Sequence, residues 1–153
     1  MTETGNIKIE KAQPGDLNEI VALEKQCFSS DAFLRHQFYY FIHKSKSEFV
    51  VVRNPDKIIA YLIIQIRKNS FKYRIYSLAI APEARGTGVG GKLLKYAERL
   101  ARKNNITKIT LEVSEKNVAA IHLYKKMGFQ IEKTRAGYYA DGSSAWIMGK
   151  EIY

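Results

Sequence analysis

A single cysteine, Cys27, stands in the 153-residue chain, so no internal disulfide can form and stability must come from packing. Apolar runs are short, and none approaches the ~18 residues that a membrane-spanning helix needs. Met1 to Asn6 lacks the apolar stretch of a signal peptide, so a cytoplasmic protein with no membrane partner is expected. Three prolines and ten glycines build no linker or low-complexity tract, and no internal repeat occurs. His36, His43 and His122 lack metal-ligand spacing, so no metal site is expected and the three belong to surface or packing. Acid is the remaining shortfall: 15 Asp and Glu face 25 Lys and Arg, a net charge of +10. Divided after Ile80, the parts carry 12 basic and 8 acidic residues, then 13 and 7, so the excess is spread rather than gathered in a tail. Such a field favours anionic partners (a phosphorylated cofactor, RNA, a ribosome surface) without choosing among them. No nucleic-acid module with its own signature is present.

What is present fits one domain over residues 1–153, long enough to bury roughly two-thirds of its unfolded surface. Ile7 to Lys11 alternates like a short strand. Pro14-Gly15-Asp16 opens a helix, with Asp16 and Glu19 spaced as a capping box and Ile20, Leu23 and Cys27 on its core face. A second, aromatic-rich helix is predicted over Phe33 to Ile42. Glu48–Arg53 and Lys57–Arg67 are β-rich runs joined by Asn54-Pro55-Asp56, a hairpin signal, and Lys72–Ala81 is a further strand. Val89, Leu93, Ala97, Leu100 and Ala101 form one helical stripe. Thr107–Val113 returns as a strand. Ala120, Leu123, Tyr124 and Met127 mark a short helix from Asn117 to Lys126 that Gly128 ends. Phe129–Lys133 and Ala145–Ile152 complete the order β-α-α-β-β-β-α-β-α-β-β. This is a mixed α/β (α+β) sheet with helices on its faces.

Between a strand and a helix lies Arg85-Gly86-Thr87-Gly88-Val89-Gly90-Gly91-Lys92. Glycines there let backbone N–H groups approach an anion, and the helix N-terminus adds partial positive charge. Gly86, Gly88 and Gly91 satisfy G-x-G-x-x-G, with Glu112 near the place of a ribose-binding acid. Three or four strands precede this turn, however, and only 41 residues follow Glu112, too few for the remaining βαβ units of a dinucleotide fold. The ATP-binding P-loop pattern fails because Leu93 replaces the hydroxyl residue that would hold Mg²⁺. A third pattern, Q/R-x-x-G-x-G/A, is met by Arg85, Gly88 and Gly90.

The next segment runs Leu111-Glu112-Val113, then Asn117, Ala120, Leu123-Tyr124 and Gly128-Phe129. It resembles the L-E-V-x-x-x-N-x-x-A-x-x-L-Y-x-x-x-G-F stretch of the GNAT acetyltransferase superfamily, and the third glycine pattern resembles that superfamily's pyrophosphate loop. Arg135, Tyr138, Tyr139, Gly142, Ala145 and Met148 are similar to the tail of the ribosomal-protein alanine (RimI-type) and related N-terminal acetyltransferases. Ser143 and Ser144 depart from that tail, where the relatives carry Glu and Asp. The resemblance implies a mostly antiparallel sheet of about seven strands flanked by about four helices, with a splayed parallel strand pair, Lys72–Ala81 and Thr107–Val113. It also implies acetyl-CoA as acetyl-donor cosubstrate, without a metal or a covalent enzyme intermediate.

Carried over residue by residue, backbone groups of Leu78, Ala79 and Ile80 would hold the acetyl group and pantetheine arm. The Ile80 N–H would polarise the thioester carbonyl. Arg85, Gly86, Thr87, Gly88, Val89, Gly90 and Gly91 would hold the pyrophosphate, and Asn117 the pantetheine amides; from its position alone Asn117 is equally a helix N-cap. The resemblance makes Glu112 the general base and Tyr124 the donor to the departing thiolate. By pattern alone Glu112 belongs to a solvated strand face and Tyr124 to the core. Tyr138 and Tyr139 are either hairpin aromatics or the wall of a peptide slot, and strand alternation would turn only one of them to the site. Cys27 is read as core. The acceptor is expected to be a protein or peptide N-terminus, a ribosomal protein among the candidates, with a small amine or lysine side chain as the alternative. At pH 7 roughly 10% of an α-amine with pKa ~8 is neutral, against about one in 2,500 for lysine, which favours the former. A non-catalytic acyl-CoA sensor, ribosome association, and a monomer or homodimer all stay open.

Overall fold

The computed structural model describes residues 7–28, 35–43 and 46–153. Its strands are β1 (Lys8–Lys11), β2 (Ser47–Arg53), β3 (Ile58–Ile66), β4 (Lys72–Ile80), β5 (Lys108–Ser114), β6 (Gln130–Arg135) and β7 (Ala145–Glu151). The helices are α1 (Leu17–Cys27), α2 (Arg35–His43), α3 (Val89–Lys103) and α4 (Val118–Lys126). Phe33 and Leu34, the predicted start of the second helix, lie outside the described residues. The seven strands form one sheet in the order β1-β2-β3-β4-β5-β7-β6. Every neighbouring pair is antiparallel except β4 and β5. The mixed seven-stranded sheet with four helices is the architecture expected from the sequence.

At the centre, β3 reads Ile-Ile-Ala-Tyr-Leu-Ile-Ile and is buried over all seven of these residues. Such a run fits a strand covered on both faces. Here α1 packs on one face, and α3 with α4 on the other. The hairpin turn forms as expected: Asn54 Oδ1 accepts the N–H groups of Asp56 and Lys57, both at 2.9 Å. The capping box forms between Gln13 and Asp16 instead of between Asp16 and Glu19. Asp16 closes a short 3₁₀ turn (Pro14–Asp16), where its carboxylate accepts the Gln13 N–H and pairs with Arg53 at 2.6 Å. Glu19 reaches across to the Ile58 N–H instead. The α3 stripe also shifts: Leu94 and Glu98 are buried, Leu100 only partly so. Glu98 is tolerated there because Lys150 Nζ donates to it at 2.9 Å.

Two irregularities open the cleft. The parallel pairing of β4 and β5 runs from Lys72↔Lys108 to Ile75↔Leu111, and beyond it the strands diverge. At the same point β4 carries a bulge: Ile64 faces Ile75 but Ile63 faces Ser77, so Tyr76 is an extra residue. The bulge turns consecutive side chains to the same face. Tyr76 packs on Phe41 of α2 with ring centroids 4.6 Å apart, and Ser77 meets Tyr61, which is hydrogen-bonded to Glu24 of α1.

Candidate active site

Past the bulge, β4 has one edge on β3 and the other on the gap. The Ala81 N–H donates to Ile59 O. In an antiparallel pair, backbone groups alternate in direction along the strand. Ala79, two residues earlier, therefore also points to β3, while Leu78 and Ile80 turn their N–H and C=O to the gap. The Ile80 carbonyl bears this out, accepting the Cys27 thiol at 3.4 Å and Arg85 Nε at 3.3 Å. All three positions singled out in the sequence line the cleft, but only Leu78 and Ile80 turn their backbone groups to the opening, those of Ala79 going to β3.

The gap is the floor of a cleft of about 1010 Å³. One end is the glycine turn, reached through a 3₁₀ turn at Pro82–Ala84. Gly86 and Gly88 have φ of 80° and 89°, a region that L-residues rarely adopt. Gly88 is the N-cap of α3, so the first amides of that helix point into the cleft. Gly90 serves packing: a Cβ there would lie 2.6 Å from Leu123 Cδ2 and 2.8 Å from Ile80 Cδ1. Thr87 is not among the lining residues; its hydroxyl donates to Ala84 O at 2.5 Å and braces the turn. Lys116, His122 and Lys126 line the cleft as well, which gives His122 a place the sequence reading had not assigned. Cys27 packs against the edge of the core and also lines the cleft, and burial, ahead of the opposing influence of Arg85, pushes its thiol above the usual range.

Helix α4 sets two more residues. Asn117 is its N-cap, with Oδ1 accepting the Ala120 N–H at 3.2 Å, which leaves its amide N–H₂ as a donor on the cleft wall. At the other end Gly128 (φ 94°) donates to Lys125 O, and Phe129 N–H donates to Tyr124 O at 2.9 Å. These are the two bonds of a Schellman cap, and the Phe129 ring rests against Tyr124 at 5.9 Å. The spacing Tyr-x-x-x-Gly-Phe thus fixes where the tyrosine stands. Tyr124 is 6% exposed and still lines the cleft. Burial first, and then Tyr139, raise its phenol well above the ordinary tyrosine range.

The opposite end is built from side chains. Glu112 is not on a solvated face: its side chain is 15% exposed and carries a guanidinium on each oxygen. Arg74 Nη2 bonds to Oε1, and Arg135 Nη1 lies 3.5 Å from Oε2. Arg74 stands over the Tyr76 ring and Arg135 over the Tyr138 ring. Tyr138 and Tyr139 sit in the turn between β6 and β7, not on a strand. Strand alternation therefore does not govern them, and both line the cleft with rings perpendicular at 5.1 Å. Ser143 occupies its turn buried, with its hydroxyl on Asp141 Oδ1 at 2.6 Å and beside the Ser114 hydroxyl at 3.1 Å. Arg74 and Tyr76 escaped the sequence reading because their partner Glu112 lies on another strand, 38 residues from Arg74.

Among the described residues no group of His, Cys, Asp and Glu gathers as a metal site, and no helix is long and apolar enough to cross a membrane. The sequence profile of the acetyltransferase (GNAT) family matches residues 17–129. An N-alpha-acetyltransferase of Sulfurisphaera tokodaii is 26% identical, over 95% of this chain and 93% of its own. A Bacillus subtilis protein, named provisionally as a ribosomal protein bS18-alanine N-acetyltransferase, is 30% identical over 87% of each chain. The Escherichia coli ribosomal-protein-S18-alanine N-acetyltransferase shares the fold at a TM-score of 0.84, with 24% identity over 95% of this chain and 94% of that one. A parallel strand pair that parts over a glycine-capped helix, matched along three-quarters of the chain by one family, identifies an enzyme of the GNAT family, an N-acetyltransferase.

Proposed function

We propose that the enzyme transfers an acetyl group directly from acetyl-CoA to the α-amine of a protein or peptide N-terminus, with a ribosomal protein as one candidate acceptor. The observation that carries this reading is the divided cleft, with backbone donors at one end and a carboxylate among aromatic rings at the other. The donor end fits a coenzyme A thioester. Left-handed glycines and the α3 N-terminus suit a pyrophosphate, Lys126 adds positive charge, and the N–H groups of Leu78 and Ile80 suit amides and a carbonyl. When bound, acetyl-CoA supplies the activated acetyl group.

The chain's own residues then divide the work. The Ile80 N–H donates to the acetyl carbonyl oxygen, where negative charge grows as nitrogen attacks. Glu112 accepts the proton the amine must lose, directly or through one water. Tyr124, kept protonated by its burial, donates a hydrogen bond to the departing sulfur. Full transfer of its proton to a thiolate is uphill, since a thiol's ordinary pKa is ~8.5 and that of the phenol starts at ~10. Asn117 and the loop amides hold the rest of the coenzyme, and Tyr138 and Tyr139 wall the acceptor. At pH 7 roughly 10% of an α-amine is neutral against about one in 2,500 for lysine, so a single carboxylate base suits an α-amine better. Cytoplasmic action accords with this reading.

Calorimetry and a thiol-release assay test it together. Acetyl-CoA should bind while NADH and ATP do not, and release should be fastest with unblocked N-terminal peptides, slower with lysine peptides and polyamines. Binding of acetyl-CoA with no acceptor raising release above background would instead support a non-catalytic acyl-CoA sensor.

A further inference from the structure

The two guanidiniums at Glu112 are unequal. Arg74 belongs to β4 beside the paired part of the sheet, bonds directly to Oε1, and is backed by Tyr76, which is itself packed on Phe41. Arg135 ends β6, an edge strand whose six residues are all exposed. Its side chain is 56% exposed, and its 3.5 Å separation from Oε2 exceeds hydrogen-bond length. An ion pair this open to water is weak. The guanidinium also has a second resting place already in contact, the Tyr138 ring, 5.7 Å from its centre.

An acceptor amine needs the same oxygen. Near pH 7 about nine-tenths of an α-amine arrives as ammonium, a cation seeking a carboxylate. Oε1 is held by Arg74, so Oε2 is where the ammonium must go, and Arg135 stands there. We propose that Arg135 is a displaceable latch on Glu112: it covers the acceptor end of the cleft and withdraws onto Tyr138 when the amine arrives. Arg74 stays in place throughout. Arg135 is thus a positioning residue that sets the apparent affinity for the acceptor, because each binding event must first break its contact. The proposal rests on the reading of Glu112 as the acceptor's proton acceptor.

Steady-state kinetics on Arg135→Gln, with an unblocked N-terminal peptide as acceptor at saturating acetyl-CoA, provides the test. Removing the competing cation should lower the peptide KM by about 3–10-fold, with most of the change in kcat/KM arising from KM. Methylguanidinium, a soluble stand-in for the lost side chain, should inhibit Arg135→Gln competitively with peptide and more strongly than it inhibits the wild type. Arg135→Lys, which keeps the charge and is less apt to perturb the strand, should give an intermediate KM. A peptide KM that is unchanged or raised in Arg135→Gln, or methylguanidinium that inhibits both proteins alike, overturns the latch. Glu112→Gln separates the levels: if it turns over like the wild type, the base reading falls and the latch with it. If it is inactive while Arg135→Gln keeps the wild-type KM, only the latch falls.

Discussion

The two ends of the cleft are made in different ways. The donor end is almost wholly backbone: the gap-facing edge of β4, two left-handed glycines and the first turn of α3. The acceptor end is almost wholly side chain, with Glu112 from β5, Arg74 and Tyr76 from β4, Arg135 from β6 and two tyrosines from a turn. On the proposed reading, backbone donors would bind what every acetyl-CoA molecule shares. Side chains contributed by separate elements can change one at a time, so the acceptor end is where specificity would be set.

Substitutions at the two ends should therefore separate in what they alter. The largest effect is expected for Glu112→Gln, which keeps shape and removes the proton acceptor: kcat should fall by about 100-fold or more, with the acetyl-CoA Kd from calorimetry little moved. Tyr124→Phe should lower kcat by about tenfold in a stopped-time thiol assay, the scale of one hydrogen bond to a developing charge. Gly88→Ala forces a Cβ into a left-handed conformation and should cost about 1–2 kcal/mol in denaturant unfolding. It should weaken acetyl-CoA binding while leaving the acceptor KM in place, the reverse of the Glu112 pattern. If Gly88→Ala moved the acceptor KM and not the acetyl-CoA Kd, the division between the ends would be wrong.

A separate effect lies beneath the cleft. Burial, followed by the Glu24 carboxylate, raises the Tyr61 phenol well above its ordinary range, and Tyr96 and Tyr124 are raised as well. The unfolded chain would release these protons near pH ~10, while the fold retains them. Their contribution is thus fully present below that pH and is lost as pH rises from it toward the raised folded values. Urea unfolding between pH 9 and 11 should show stability falling, and Tyr61→Phe should flatten the fall while costing about 1–3 kcal/mol at neutral pH by leaving Glu24 without that donor.

The same contrast explains what could be read from the sequence. Element order follows from periodicity and the sharp glycine turn from glycines placed where φ is positive, both local properties of the chain, whereas the parallel pair was expected only through the resemblance to the GNAT superfamily. Tyr124 was singled out only through the family motif, and the local Schellman cap of Gly128 and Phe129 explains why that spacing places it. The partners of Glu112 were not. Arg74 lies 38 residues away, and a one-residue bulge decides where its neighbours point. Tyr138 and Tyr139 both line the cleft, a shared orientation that depends on a turn period-two reasoning does not reach. Asp16 and Glu19 matched a local cap and were claimed by the distant Arg53 and Ile58.

The most direct test of the whole account uses one peptide carrying both an unblocked N-terminus and an internal lysine, incubated with acetyl-CoA and the enzyme and mapped by tandem mass spectrometry. The divided cleft with Glu112 at its acceptor end predicts acetyl on the α-nitrogen, lost with Glu112→Gln. Acetyl on the lysine alone, or equal labelling by the Glu112→Gln protein, would contradict it.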